Sequence, residues 1–487
     1  MKKFIILVMS VAFLASSCND WLNLKPKNKT VVGTLEDVKI MMSSYLLSLT
    51  SSSDDPITFN GVELRCPFNR DYIAHFAMYS DDIDMTQTIH STYGKLYEEE
   101  YFEDVAWNGW KFASYMWKSL YQHVGFLNSA LKSLDELSEY DQAEYERVRG
   151  EALTLRSFYL FRLVQLFAPY KNNELGIPMN LDPEVFQGIK RTPQAEVYRQ
   201  ILGDLTTALN YEAGSTSWNA FYSKNVIHAI LAQVYQFKAG SAAAEESDWE
   251  NAEKHAAYIV ERYQLETRSE DYHETFYATQ AKIYKNSPYA LLKIAYAITP
   301  RSNTYAFWGL PTYQNSGQYP SQELRSSYDP NDIRITAYFA DNNNYDKYEM
   351  YSDWETFFFL SDYTILFRIA EQYLICAEAN ARLGRAKGKE LLDRFKQSRI
   401  PGYTTYPGTD VLDEIIREKR KEFCGEGEIR WMDMKRLGYG FTRKGLDEKT
   451  LEVKEYTLNP DDYRYTLPIP VDEELTYNNI PQNPGWN

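Results

Sequence analysis

The sequence predicts a mostly α-helical protein, a scaffold of repeated helical hairpins that carries two long irregular insertions. Three observations lead there. Apolar residues recur at intervals of three and four through long stretches of the chain, the spacing of helices that bury one stripe. The first two such stripes follow one another directly, which makes a helical hairpin. Residues 52–112 and 264–361 lack that periodicity and are rich in Tyr, Asn, Asp, Ser and Pro, and long irregular segments of this kind in a compact protein are commonly functional.

At the N-terminus Lys2 and Lys3 precede an apolar run from Phe4 to Ala15, and small residues lead to Cys18. This is the layout of an export signal that ends at a lipidated cysteine. The run is shorter than the roughly 20 residues a membrane-spanning helix needs. Leu14 stands four places before Cys18, one more than in the usual processing box. Residues 1–17 therefore read as a cleaved signal, 18–33 as a tether from lipid to fold, and 34–487 as one folded unit beginning near Thr34. The other thiols, Cys66, Cys376 and Cys424, are odd in number and encode no disulfide framework. Cys376 lies in an apolar helical run and reads as a core residue.

The first stripe, over about 114–137, comprises Trp117, Leu120, Tyr121, Val124, Leu127, Leu131 and Leu134. The second follows with Val148, Ala152, Leu155, Tyr159, Leu163 and Leu166, and Pro169 stops it. Further helices are predicted over 193–211 and 223–240, and one opens at Ser247, where Glu250 stands at capping-box spacing. Later come Tyr363 to Leu383, with Gly384 as its cap, then 386–398 and Val411 to Cys424. Hairpins repeated in this way suggest a tetratricopeptide-like solenoid, and Trp117-x-x-Leu120 matches the start of that repeat. Tyr121 stands where the repeat has Gly, and the hairpins do not keep its period of about 34 residues, so the insertions must interrupt the array.

Lys and Arg number 52 against 68 Asp and Glu, a formal charge of -16, which argues against nucleic acid as a partner. The common phosphate-loop, dinucleotide, zinc-protease and nucleophile-elbow motifs are all missing. Six His residues are scattered without ligand spacing. No catalytic residue, metal or cofactor is expected. Residues 80–84 and 341–346 cluster hard oxygens without the calcium-loop pattern and read as turns; Asp81 and Asp82 could also accept hydrogen bonds from ligand hydroxyls.

With 10 Trp, 40 Tyr and 24 Phe, the chain holds more rings than its core requires. Two clusters stand out. One, between Tyr101 and Tyr121, includes the loop Trp107-Asn108-Gly109-Trp110, ahead of the first long helix. The other is Tyr305, Phe307, Trp308, Tyr313 and Tyr319, interleaved with Asn303, Asn315, Gly317 and Gln318. Rings beside amides suit sugars, whose C–H faces stack while amides and carboxylates take the hydroxyls. The same surface suits a protein partner, and plain packing is the third reading.

Several stretches together resemble the SusD/RagB family of outer-membrane nutrient-binding lipoproteins. They are Cys18-Asn19-Asp20-Trp21-Leu22, the run from Gly150 to Tyr170 followed by Gly176-Ile-Pro178, and Leu366 to Ala379. Arg417 to Phe423 with Glu426-Gly427 and Arg430 to Arg436 follow, then Leu467-Pro-Ile-Pro470 with Gln482 to Trp486. The resemblance implies a tetratricopeptide-like scaffold with loop-built ligand sites, a lipid anchor at Cys18, and a place at the cell exterior as lid on a SusC-like TonB-dependent transporter. It implies binding without cleavage, of oligosaccharides or, in some relatives, peptides; a transporter-associated scaffold subunit without a strong ligand site is the remaining reading. By region, it points to Trp107, Asn108 and Trp110, to Tyr305, Trp308 and Tyr313, and to Asp81 and Asp82 as polar partners. Arg156, Glu371, Glu378, Arg417, Arg420 and Arg430 read on physical grounds as helix-face or buried ion pairs.

Overall fold

The computed structural model describes residues 33–49, 57–59, 62–64, 67–68, 70–88, 98–185, 188–276, 283–285, 288–295, 319–339, 363–470 and 479–486. Helix α1 (Leu35–Ser48) starts where expected, because Thr34 and Asp37 form a reciprocal capping box. Its Tyr45 reaches the core and donates to the Tyr159 hydroxyl at 3.0 Å. A small antiparallel hairpin follows, β1 (Ile57–Phe59) with β2 (Val62–Leu64). Then come α2 (Arg70–Tyr79) and α3 (Glu98–Val105), so the first insertion is more regular than its composition suggests.

The two long helices are α4 (Trp110–Asp135) and α5 (Gln142–Phe167). Trp117, Leu120, Val124, Leu127, Leu131 and Leu134 are all buried along α4, whereas Tyr121 is only partly so and donates to the Pro178 carbonyl at 2.7 Å. Helix α5 is buried on every side from Gly150 onward, as a helix at the centre of an array must be. It ends at Ala168, whose extended backbone leads into Pro169. A two-residue bridge joins β3 (Ile177–Pro178) to β4 (Arg191–Thr192). Helices α6 (Gln194–Asn210), α7 (Lys224–Lys238) and α8 (Asp248–Val260) continue the array.

At the start of α8 the expected capping box does not form, because Ser247 has a helical backbone and its hydroxyl makes no capping bond. Asp248 takes over this corner. Its carboxylate accepts the Glu245 N–H at 2.7 Å and the buried Lys238 ammonium at 2.9 Å.

Two strands of the second insertion, β5 (Ile283–Lys285) and β6 (Ala290–Ala295), form a three-stranded antiparallel sheet with β7 (Tyr363–Arg368) just beyond it, in that order. Strand β7 corrects the prediction of a helix over Tyr363 to Leu383. Tyr363, Thr364, Ile365 and Phe367 are residue types that favour a pleated surface, and pairing with β6 extends them until α9 (Ile369–Arg382) begins. Gly384 takes a left-handed φ of 67° just past α9, the backbone geometry glycine tolerates best. The chain then forms α10 (Lys387–Arg399), α11 (Val411–Phe423) and α12 (Ile429–Leu437), and a hairpin of β8 (Phe441–Leu446) with β9 (Val453–Leu458).

Consecutive helices pack in a row, α4 on α5, α5 on α6, and so on through α8, which lies against α9; α9 then meets both α10 and α11. The chain leaves this row after α8 and returns beside it at α9. The architecture is mostly α, a row of hairpins with insertions, as the periodicity predicts. Cys376 and Cys424 are both buried.

Where the second insertion meets the row, the interior is ionic. Arg334, Arg368 and Arg399 are buried among Asp332, Glu266, Glu418 and Glu422. Arg399 Nε lies 2.9 Å from Glu422 and its Nη2 2.9 Å from Glu266, while Arg334 spans Asp332 at 2.6 Å and Glu418 at 2.8 Å. Burial alone would raise the Glu418 carboxyl, but Arg334, Lys421 and Lys396 hold it at about 2.

Candidate functional site

The loop ahead of α4 is fixed from beneath. Gly109 packs so closely on Tyr79 that a Cβ there would meet the phenol oxygen. Trp107 adopts a positive φ of 57°, an uncommon conformation for a bulky residue. This turns its indole inward. Trp107 is 1 % exposed, its Nε1 donates to the Tyr79 carbonyl at 2.8 Å, and the Arg443 and Arg464 guanidinium groups lie 4.2 and 5.2 Å from the ring centroid. The sequence-based expectation that Trp107 serves as a stacking platform is therefore corrected: it is a structural wedge.

Asn108 and Trp110 face the other way. Asn108 is exposed and Trp110 partly so. The Trp110 ring meets Trp486 edge-on at 5.6 Å, and Trp486 in turn meets Tyr463 at 5.3 Å, both at interplanar angles of 80°. Trp486 is anchored by its Nε1 bond to the Thr466 carbonyl at 2.7 Å. Tyr463, 46 % exposed, widens the patch. Tyr463 and Trp486 were not among the candidates; they lie some 350 residues further along the chain, and only the ring-rich C-terminal segment hinted at them.

Asp81 and Asp82 are also corrected. Both are buried. Asp81 receives a two-pronged bond from Arg430 at 2.7 and 2.6 Å, and Asp82 lies 2.8 Å from Arg420 Nε. Burial would raise Asp81, yet Arg430 and Arg420 hold it below the usual carboxylate range; for Asp82 burial prevails and the carboxyl is raised, with Asp81 adding to the effect. Their backbone ties the two insertions together. Ser321 N donates to the Asp82 carbonyl at 2.7 Å, Asp84 N donates to the Tyr319 carbonyl at 2.7 Å, and Ile83 bridges to Pro320. This segment is a structural clasp and does not offer its carboxylates to a ligand. Tyr305, Trp308, Tyr313 and Cys18 lie outside the described residues.

Of the six charged residues read as ion pairs, Arg156 joins Asp204, Glu378 joins Arg436 and Arg417 joins Glu414. Arg420 and Arg430 hold the clasp, and Glu371 accepts the Gln233 amide at 2.6 Å. Glu371, Gln233, Arg162, Lys419 and Asp433 line a partly open cavity of about 70 Å³ between α5, α7, α9, α11 and α12. Arg162 Nε and Gln233 Oε1 are buried without a protein partner, which marks the cavity as a hydration site. Among the described residues no group of His, Cys, Asp and Glu is arranged to hold a metal ion.

Comparison with known proteins agrees with this architecture. A family model described as starch-binding and associating with the outer membrane matches residues 20–235, and the model of the SusD family matches residues 203–486. The chain is 25 % identical over 429 residues to SusD-like protein P2 of Formosa agariphila, covering 77 % of this chain and 80 % of that one. A structure titled a putative sugar binding protein from Bacteroides vulgatus superposes with a TM-score of 0.70 at 21 % identity, over 94 % of this chain and all of that one. Surface glycan-binding protein A from Bacteroides fluxus gives 0.66 at 18 % identity, over 93 % and 100 %. The fold and the family match thus define a binding protein of the SusD type, a family associated with the outer membrane. The chain belongs to the SusD/RagB family. Among the described residues no helix is long and apolar enough to cross a membrane.

Proposed function

We propose that the protein captures oligosaccharides at the cell exterior and passes them to a TonB-dependent outer-membrane transporter, held at the membrane by lipid on Cys18. The observation that carries the ligand part is the patch of Trp110 and Tyr463 braced by Trp486, with the exposed Asn108 amide beside it. Rings held edge-on to a buried indole keep one orientation, so little side-chain freedom is lost when a sugar stacks on them. Family membership supports the transporter, and the apolar run ending in small residues and Cys18 supports the anchor.

Calorimetry of the mature protein against a panel of neutral oligosaccharides tests the ligand. Binding that weakens in Trp110→Ala supports the reading. Binding of peptides with no response to any glycan would replace it with peptide capture. Co-purification of a barrel transporter with the tagged chain from outer membranes tests the partner, and its absence under mild detergent would sink that part.

A further inference from the structure

A second concavity lies far along the chain from the Trp110 patch, over the connection from α6 to α7. That connection is clamped onto α5 by two carboxylates. The fully buried Glu151 accepts the backbone N–H groups of Ala220, Phe221 and Tyr222 at 3.1, 2.7 and 2.9 Å and the Asn219 amide at 3.1 Å. Glu146 accepts Ala213 N at 2.8 Å, and the Tyr222 hydroxyl donates to the Ala213 carbonyl at 2.6 Å. Asn219 Oδ1 closes the loop on itself by accepting Thr216 N at 3.0 Å. A segment with so many fixed amides is a preorganised floor.

Above this floor is a groove of about 500 Å³, whose lining also includes Tyr263 and Leu291. That volume falls in the range of small-ligand sites, about 300–1,000 Å³. The polar lining includes Ser215, Thr216, Lys224, Asn225 and Tyr263. The Asn225 amide donates to the Tyr263 hydroxyl at 2.6 Å, which aims the phenol and leaves its own proton to donate. Burial pushes that phenol's pKa up, so it remains a donor. Hydroxyls, an amide and a half-buried ring are the groups a sugar uses. The charge pattern narrows the ligand. Among the described residues that line the groove, the exposed Lys224 is the one that carries a charge, in a chain whose net charge is -16.

We propose that this groove is a second saccharide site, taking a short chain of hydroxylated rings that bears a carboxylate, with Lys224 opposite the acid. The proposal rests on the carbohydrate-binding reading above but on none of its residues. The test uses the mature protein and four variants, Lys224→Met, Tyr263→Phe, Tyr263→Ala and Trp110→Ala, titrated with tetrasaccharides of galacturonate, glucuronate and mannuronate and with a neutral glucose tetrasaccharide. The expected result is that at least one uronate binds, that Lys224→Met and Tyr263→Ala weaken it roughly tenfold or more, that Tyr263→Phe weakens it less, and that Trp110→Ala leaves it unchanged. Because Lys224 is exposed, its variant keeps the fold. No binding of any uronate, or uronate binding untouched by Lys224→Met, overturns the proposal. Neutral-sugar binding lost only in Trp110→Ala would then leave the first reading standing alone.

Discussion

Trp107, in the loop ahead of α4, and Trp110, the first residue of α4, are three positions apart and do opposite work. The inward indole supports the fold and the outward one is available to a ligand. Trp107→Ala is expected to cost about 3–5 kcal/mol, the range for emptying a large aromatic site, and denaturant unfolding checks it. Trp110→Ala and Tyr463→Ala are expected to leave stability within about 1 kcal/mol while weakening glycan binding roughly tenfold; an unchanged affinity would assign the patch to packing. The sequence singles out the ring-rich loop but not the exposed ring. That choice turns on one positive φ at Trp107 and on Trp486 arriving from the far end of the chain, and neither leaves a local trace. Asp81 and Asp82 were misjudged for the same reason, since their partners Arg430 and Arg420 are more than 330 residues away.

Among the elements, the α7–α8 pair carries a pH response. His228 and His255 approach with Nδ1 atoms 2.8 Å apart, so one ring donates and the other accepts. Tyr258 stacks on His228 and Tyr235 lies parallel to His255. Burial, helped for His228 by Arg262, Lys254 and Lys224 and for His255 by the neighbouring His228 and Lys254, lowers the pair to about 4 and about 3. The unfolded chain, with histidines near the ordinary 6.5, then binds more protons than the folded one. Stability should fall as pH drops from about 6.5 toward 4, and thermal melts of His255→Gln should decline less steeply over that window than those of the parent. The buried carboxyls act lower. Glu378 and Glu418, held at about 2, contribute stability that is lost as pH falls from about 4.5 toward 2. Glu422→Gln, which strips charge from a site facing Arg334, Arg368 and Arg399, should cost about 3–5 kcal/mol. The helix periods were legible because one buried stripe repeats in the sequence itself. Strand β7 was not, because a short apolar run reads alike as strand or helix until its partner β6 is known.

For the whole molecule, the row of hairpins follows from periodicity, whereas the joint between the insertions, through Asp82 and Ser321, had no sequence signal. The anchor is tested at this scale. Cys18→Ala should move the protein from the membrane fraction to the soluble one, and unchanged partitioning would rule out lipid on that residue.

The cavity between α5, α7, α9, α11 and α12 also bears on how the protein responds to compression. Pressure unfolds proteins largely by eliminating dry voids. A cavity lined by Arg162, Gln233, Glu371 and Lys419 takes water and not a noble gas, so it contributes little to the volume lost on unfolding. Hydrostatic pressure should therefore destabilise this protein less than a dry cavity of the same size at this place would.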